Sequence, residues 1–129
     1  MRILYNSKDT QHKTPFGTLT PNQECTLHMH VPATVQALSV TCEILYDDHS
    51  PAQAISMTKA AQKGAYEIFQ GSFSLSHPAL YFYFFRVHTA QGDFRLFKQG
   101  DDTNMEAGDL WQVSCVPADF TTPDWAKGA

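Results

Sequence analysis

The sequence predicts an all-β domain, specifically an immunoglobulin-like antiparallel β-sandwich of about seven strands. Two observations predict this fold. Apolar and polar residues alternate with period two over several short segments, and polar turn residues separate these segments. Helical periodicity is weak throughout. A length of 129 residues fits one domain around one buried core.

The first two predicted strands are amphipathic. Residues 26–31 place three apolar residues on one face: Leu27, Met29 and Val31. Residues 38–46 place four on one face: Leu38, Val40, Cys42 and Ile44. Residues 7–24, which precede both strands, lack this alternation, and we expect them to form a long loop over one end of the domain.

The second half of the chain predicts the remaining strands. Residues 51–63 contain several good helix formers, but Ile55-Ser56-Met57 also suits a short edge strand, and we favour a strand followed by a turn at Gln62-Lys63-Gly64. Residues 66–75 follow as another strand. Two further strands, 80–89 and 93–97, are separated by a short link whose Gly92 suits a hairpin turn. Residues 111–116 complete the predicted set.

The strand at 80–89 is apolar on both faces. One face carries Tyr81, Tyr83, Phe85 and Val87, and the other carries Leu80, Phe82, Phe84 and Arg86. One face must belong to the core, and the pattern leaves open which one. The other face could contact a neighbouring domain or subunit, stack against sugar rings, or lie inside the core as well.

Charge and cysteine content exclude several classes of function. The net charge is −4 and the nine Lys and Arg residues are scattered, which argues against nucleic acid as a partner. No stretch is apolar enough to span a membrane. The three cysteines have no metal-type spacing, and we expect reduced thiols in a cytoplasmic protein without a metal or another cofactor. His28 and His30 share a strand face, where a solvent-facing polar surface is favoured over a metal site.

Several motifs resemble the α-amylase family of glycoside hydrolases. The stretch Trp111-Gln112-Val113, followed by residues 117–129 with Pro-Asp-Trp-Ala-Lys-Gly-Ala at the end, is similar to the junction between an N-terminal β domain and the catalytic barrel. The opening Tyr5-Asn6-Ser7, the stretch 13–17 and the aromatic strand also resemble those N-terminal domains. The likeness is closest to neopullulanase, cyclomaltodextrinase and pullulanase-type members.

The resemblance implies that this chain is non-catalytic. Residues 1–117 would form the N-terminal β-sandwich domain, and residues 118–129 would lead into a (β/α)₈ barrel that carries the family's catalytic carboxylates. The whole enzyme would hydrolyse α-glucans such as starch, pullulan or maltodextrins by the retaining route. The domain would brace the barrel and contribute to its substrate cleft or to dimer contacts.

We expect seven aromatic residues to make contacts outside the domain: Phe16, Tyr81, Tyr83, Phe85, Trp111, Phe120 and Trp125. The expected partner is the chain's own catalytic barrel, and α-glucan and a second copy of the chain remain open. Two other functions also remain open. One is an independent α-glucan carbohydrate-binding module, and the other is a protein-binding β-sandwich.

Overall fold

A computed structural model of the chain describes residues 3–5, 12–14, 18–100, 102–105 and 108–117. These residues form nine β-strands and one short 3₁₀ turn, Ala33–Val35. The strands are β1 Lys13–Thr14, β2 Cys25–Pro32, β3 Ala37–Tyr46, β4 Pro51–Lys63, β5 Tyr66–Phe73, β6 Ala79–Thr89, β7 Gly92–Gln99, β8 Asp102–Asn104 and β9 Trp111–Cys115. No helix in the described ranges has the length and apolar character needed to cross a membrane.

The strands pair antiparallel in one continuous, strongly curled sheet. Their order is β1-β2-β5-β4-β3-β6-β7-β8, and β9 pairs with β6 beside that path. The long strand β4 explains the curl because two different neighbours share it. Residues 51–57 of β4 pair with β3, and residues 58–63 pair with β5. The sheet therefore folds over along β4, and its two halves enclose the core between them.

The all-β antiparallel class predicted from the sequence is confirmed, and so are the main strands. The edge strand expected within 51–63 is wrong, because β4 pairs with both β3 and β5 and continues through Gln62 and Lys63, where a turn was expected. The loop predicted at 7–24 is partly wrong, since Lys13–Thr14 forms β1 and pairs with β2. A pairing of only two residues leaves no periodicity for sequence analysis to detect. The two short strands β1 and β8 raise the number above the seven expected. The backbone pairing describes one curled sheet, and it does not by itself show two separate immunoglobulin-like layers.

The inner face of the curled sheet holds the core. From the first half come Leu27, Met29 and Phe69, and each is at most 1% exposed. From the second half come Ile44, Tyr83 and Phe85, which are fully buried. Alternation along each strand turns these side chains inward, and the burial of their apolar area stabilises the fold.

Leu38 corrects one prediction made from the alternation. The pattern placed it on the core face with Val40, yet Leu38 is 67% exposed while Val40 is fully buried. The register between β3 and β6 shifts between Ala37 and Ser39, which marks a β-bulge. An extra residue in one strand moves the side chains before it to the opposite face.

The three cysteines are buried and free, without a disulfide. Burial raises the pKa of the Cys42 thiol well above its ordinary value, because a thiolate there would lose its hydration. Cys42 therefore acts as a small apolar core residue, as its position in the alternation of β3 predicted.

Candidate functional site

The outer face of β6 carries aromatic side chains that the chain covers only in part. Tyr81, Tyr83 and Phe85 point into the core, so Phe82 and Phe84 point outward and are partly exposed. The sequence left this orientation open, and the structure decides it. The aromatic strand thus has a buried face and an outer face that is open to contacts.

Ring contacts with neighbouring elements hold the outer phenylalanines. Phe84 stacks on Phe97 of β7, with 5.7 Å between ring centroids and an interplanar angle of 22°. This pairing follows from the register, which places Phe85 opposite Leu96. The rings of Phe82 and His49 are nearly perpendicular, with 5.5 Å between ring centroids and an interplanar angle of 80°. Two aromatic pairs therefore lie side by side on one surface.

The turn after β3 brings His49 to this surface. His49 has a left-handed backbone with φ of 68°, and its N–H donates to the carbonyl of Tyr46 at 2.8 Å. Asp48 fixes the turn because it accepts hydrogen bonds from the backbone N–H and the hydroxyl of Ser50, at 2.9 and 2.6 Å. These hydrogen bonds lower the pKa of the Asp48 carboxyl. Aspartate suits such a turn because its side chain bonds the backbone two residues on.

A groove of about 540 Å³ lies beside Phe82 on this outer face. Its lining mixes ring, aliphatic and polar groups, and consists of His49, Phe82, Lys98, Gly108, Asp109, Leu110 and Gln112. This volume falls within the range of small-molecule sites, roughly 300–1,000 Å³. The groove is therefore large enough for a small ligand or for a few neighbouring side chains of a partner protein.

The wall of the groove depends on a close approach between Gly108 and Lys98. Asp109 and Lys98 exchange two backbone hydrogen bonds of 2.8 Å, which bring residues 108–110 against the end of β7. A Cβ atom at Gly108 would lie 2.5 Å from the Lys98 carbonyl oxygen. Glycine is required here because a side chain would push the two segments apart.

Four of the seven predicted contact residues lie in the core. Tyr81, Tyr83, Phe85 and Trp111 are each at most 3% exposed. The ring of Trp111 stacks on Tyr83 at 5.9 Å and meets Phe85 at 5.1 Å. They present almost no surface to a partner in this conformation, and the contacts predicted for them stay predictions. Phe16, Phe120 and Trp125 lie outside the described residues.

His49 and Phe97 were not among the site candidates, and Phe82 and Phe84 were named only as part of one of the two faces of the strand that could be open. One signal in the sequence pointed to them. Arg86 shares the face of Phe82 and Phe84, and an arginine is rarely buried in a core. The guanidinium of Arg86 pairs with Glu43 at 2.9 Å on the partly exposed outer surface. A charged residue at one end of the strand could therefore have identified the outer face.

A hydroxyl, an imidazole and a carboxylate lie in a row across β3, β6 and β7. They belong to Thr41, His88 and Asp93. Thr41 Oγ1 lies 2.7 Å from His88 Nε2, and His88 Nδ1 lies 2.9 Å from Asp93 Oδ2. Nucleophilic triads have this order of groups. Thr41, however, lies in a strand paired on both sides, so its backbone N–H is engaged in the sheet and does not form an oxyanion hole. This row of hydrogen bonds is best explained as a link between neighbouring strands.

The described residues contain no group of three His, Cys, Asp or Glu side chains that could hold a metal ion. His28 and His30 share the outer side of β2, where His30 meets the ring of His12 at 4.7 Å. Nδ1 of His28 is buried without a hydrogen-bond partner. Both imidazoles are half-buried, and the solvent-facing polar surface expected for them stays a prediction.

Comparison with known proteins gives a likeness of fold. No family model matches the sequence, and no curated protein matches it. A solved structure of a cyclomaltodextrinase matches with a TM-score of 0.62 and 16% sequence identity. The fold resembles one part of a cyclomaltodextrinase.

The match extends over nearly all of this chain and over a minor part of the enzyme. It covers 98% of this chain and 21% of the cyclomaltodextrinase chain, so this chain spans about a fifth of that protein. The resemblance to an α-amylase-family domain, stated above from sequence motifs, is confirmed as a likeness of fold. At this level of identity, the likeness concerns architecture and gives no residue a function.

Proposed function

We propose that this chain is a non-catalytic N-terminal domain of an α-amylase-family glycoside hydrolase that acts on α-glucans. The observation that carries the proposal is the match to a cyclomaltodextrinase over 98% of this chain but only 21% of the enzyme. A match of that extent is expected for one accessory domain of a larger hydrolase. Residues 1–117 would be the domain, and residues 118–129 would lead into the barrel.

The outer face of the sheet supports a bracing role. Phe82, Phe84 and Phe97 are partly exposed there, and a further domain packed on them would remove their apolar area from water. Interfaces between domains of one chain combine apolar and polar contacts. The Arg86–Glu43 ion pair on the same face would supply the polar part. The barrel of the same polypeptide is the proposed partner, and a second copy of the chain would use this face in a dimer.

Binding of α-glucan is the second candidate function, because the groove beside Phe82 favours it. Aromatic rings suit the apolar faces of glucose units, and the lining adds hydrogen-bonding side chains such as Asp109 and Gln112. In an accessory domain, such a groove would extend the substrate cleft of the barrel. In an independent module, it would hold the glucan by itself.

We interpret the curled sheet as the immunoglobulin-like sandwich expected from the sequence, with the two halves joined through β4 acting as its layers. Inward-facing residues of both halves support this interpretation. We also propose a cytoplasmic location, with which three buried, unpaired cysteines are compatible.

The reading frame beyond Ala129 tests the proposed function directly. We expect it to continue into a barrel with two catalytic carboxylates, and we expect the continuous protein to hydrolyse cyclomaltodextrin, maltodextrin or pullulan. The 129-residue chain should hydrolyse none of them in a reducing-sugar assay. A stop codon directly after Ala129, or turnover by the purified chain alone, would overturn the proposal.

A further inference from the structure

One edge of β7 is only partly covered by its neighbours. On one side β7 pairs with β6 from Gly92 to Leu96, and on the other side β8 covers it only from Phe97 to Gln99. Residues 93–96 on the β8 side, the open edge of β7, have no strand beside them within the ranges that the structure describes. The open edge is a short gap between the end of β8 and the turn that joins β6 to β7.

The alternation of the backbone decides which groups face the open edge. Lys98 exchanges backbone hydrogen bonds with Asp109. Asp109 lies on the β6 side of β7, because β9, which follows it, pairs with the same side of β6 as β7 does. Successive residues of an antiparallel strand direct their N–H and C=O groups to opposite sides. Lys98 and the even-numbered residues before it therefore face β6, whereas Arg95 and Asp93 present two N–H donors and two carbonyl acceptors at the open edge.

The side chains at the open edge carry opposite charges. Asp93 and Arg95 are exposed, and Phe94 between them is half-buried against the core. His88 bonds one carboxylate oxygen of Asp93, with 2.9 Å from Nδ1 to Oδ2, and the Asp93 side chain remains 46% exposed. Among the described residues Arg95 has no ion-pair partner of its own. An added strand would therefore meet one anion, one apolar ring and one cation in order.

The end of β8 limits what can fill the open edge. A second copy of β7, paired so that each Asp93 meets Arg95 of the other copy, would bring its turn residues 90–91 opposite Phe97. Asn104 of β8 already lies opposite Phe97. The turn of a second folded copy is thus obstructed, whereas a short extended peptide can bend away from the sheet where the gap ends.

We propose that the open edge of β7 binds an extended peptide segment of another protein as an added antiparallel strand. The peptide has an acidic residue opposite Arg95, an apolar residue opposite Phe94 and a basic residue opposite Asp93. The acidic and basic residues each exchange two backbone hydrogen bonds with β7, and the apolar residue covers the half-buried Phe94 ring. In strand addition the main chain gives affinity and alternate side chains give specificity. This site is independent of the proposed function, which concerns the outer face and the groove.

Hydrogen exchange of the ¹⁵N-labelled chain tests the open edge, and the peptide acetyl-Glu-Phe-Lys-Thr-amide is the probe. In the free chain the amides of Asp93 and Arg95 should exchange fast, while those of Phe94 and Leu96, which face β6, should exchange slowly. Millimolar peptide should give saturable shifts of the Asp93 and Arg95 amide signals and should slow their exchange.

Three outcomes would refute the peptide site. Slow exchange of Asp93 and Arg95 in the free chain would show that the edge is already covered. Shifts confined to Phe82 and Phe84 would place the peptide on the outer face of the sheet. Shifts of residues 93–96 that grow with the concentration of the chain, without peptide, would assign the edge to a second copy.

Reversal of the charge at Arg95 tests the specificity. Arg95→Glu should weaken binding of the probe about fivefold, because an attractive cross-strand pair becomes a repulsive one. The peptide acetyl-Lys-Phe-Lys-Thr-amide should show the opposite preference and bind the variant better than the unaltered chain. Lys63→Glu is the matched control, since it makes the same change of charge at the exposed end of β4, in the other half of the sheet. Equal weakening by Lys63→Glu, or two peptides without opposite preferences, would overturn the proposed pairing.

Discussion

At the scale of single residues, the hydroxyls of Tyr5 and Tyr83 form a polar pair inside an apolar core. The two oxygens are 2.6 Å apart and come from segments 78 residues apart in the chain. Both side chains are at most 2% exposed. A hydroxyl in the interior requires a partner, and in this pair one hydroxyl donates and the other accepts.

Removal of both hydroxyls should cost less than the sum of the costs of removing each one alone. Tyr83→Phe leaves the Tyr5 hydroxyl buried without this partner, and we expect a loss of about 1–3 kcal/mol in the free energy of unfolding. The double variant with Tyr5→Phe should lose less than the sum of the two single variants. Urea denaturation measures all three, and Tyr46→Phe, at an exposed position, is the control. Strictly additive losses would contradict the pairing.

Alkaline pH should destabilise the fold through the same residues. Burial raises the pKa of Tyr5 and Tyr83 well above the ordinary value of 10.0, and that of Cys42 well above 9.0. The unfolded chain then releases protons before the folded chain does. Stability from these groups is complete below their ordinary pKa values and falls as the pH rises past them.

Denaturation midpoints measured from pH 7 to about pH 10.5 should therefore decline above about pH 9. The decline should be smaller in the double variant Tyr5→Phe, Tyr83→Phe, which has lost two of the titrating groups. A midpoint that rises over this range would refute the assignment.

At the scale of elements, the strands could be predicted from the sequence because alternation is a local property. The bulge in β3 could not, because it depends on the register against β6, a strand more than 40 residues later in the chain. For the same reason, the sequence alone could not show which face of β6 is open. Both faces are apolar there, and only the packing of the curled sheet determines which one is covered.

The candidate site was less predictable than the fold. Phe82 and Phe84 were recognised as one face of a strand, but His49, Lys98 and Asp109 reach the groove from separate turns and strand ends. No spacing in the sequence relates these positions. Their meeting depends on hydrogen bonds between distant backbone segments, such as those of Asp109 with Lys98.

Because of the bulge in β3, we expect substitutions at Leu38 and Val40 to differ in effect, although the alternation alone places both residues on one face. Leu38→Thr should change the free energy of unfolding by less than about 0.5 kcal/mol, since Leu38 is 67% exposed. Val40→Thr places a hydroxyl in the core and should cost about 1–3 kcal/mol. Thermal unfolding of the two variants compares them directly. Equal losses at both positions would show that the bulge is absent.

At the scale of the whole molecule, the two halves of the sheet are joined along β4 and also where their other edges meet. Leu4 exchanges backbone hydrogen bonds of 2.8 and 3.0 Å with His30 of β2, while the neighbouring Tyr5 reaches the ring of Trp111 on β9. Thr103 of β8 donates to the carbonyl of Ile3 at 2.7 Å. The first described residues thus bridge both halves.

A variant without residues 1–5 tests this bridge. Ile3 and Tyr5 are buried at 5% and 2% exposure, and their loss should open the core between the halves. We expect the free energy of unfolding to fall by more than about 3 kcal/mol. Urea denaturation gives the loss, and binding of an apolar dye reports the opened core. Tyr5→Ala, with its backbone intact, separates the side-chain part, and an unchanged midpoint in the shortened variant would exclude the bridge.

Short segments pair with parts of the outer edges of three strands. Lys13–Thr14 and Leu4 pair with the outer edge of β2, β8 pairs with that of β7, and Leu19 pairs with that of β9. Strand-by-strand addition of another chain, the usual route to fibrous aggregates, finds parts of these backbone edges already occupied. Edge-to-edge association is thereby hindered at these positions, whereas on the side-chain surfaces of the sheet single substitutions can tune the choice of partner.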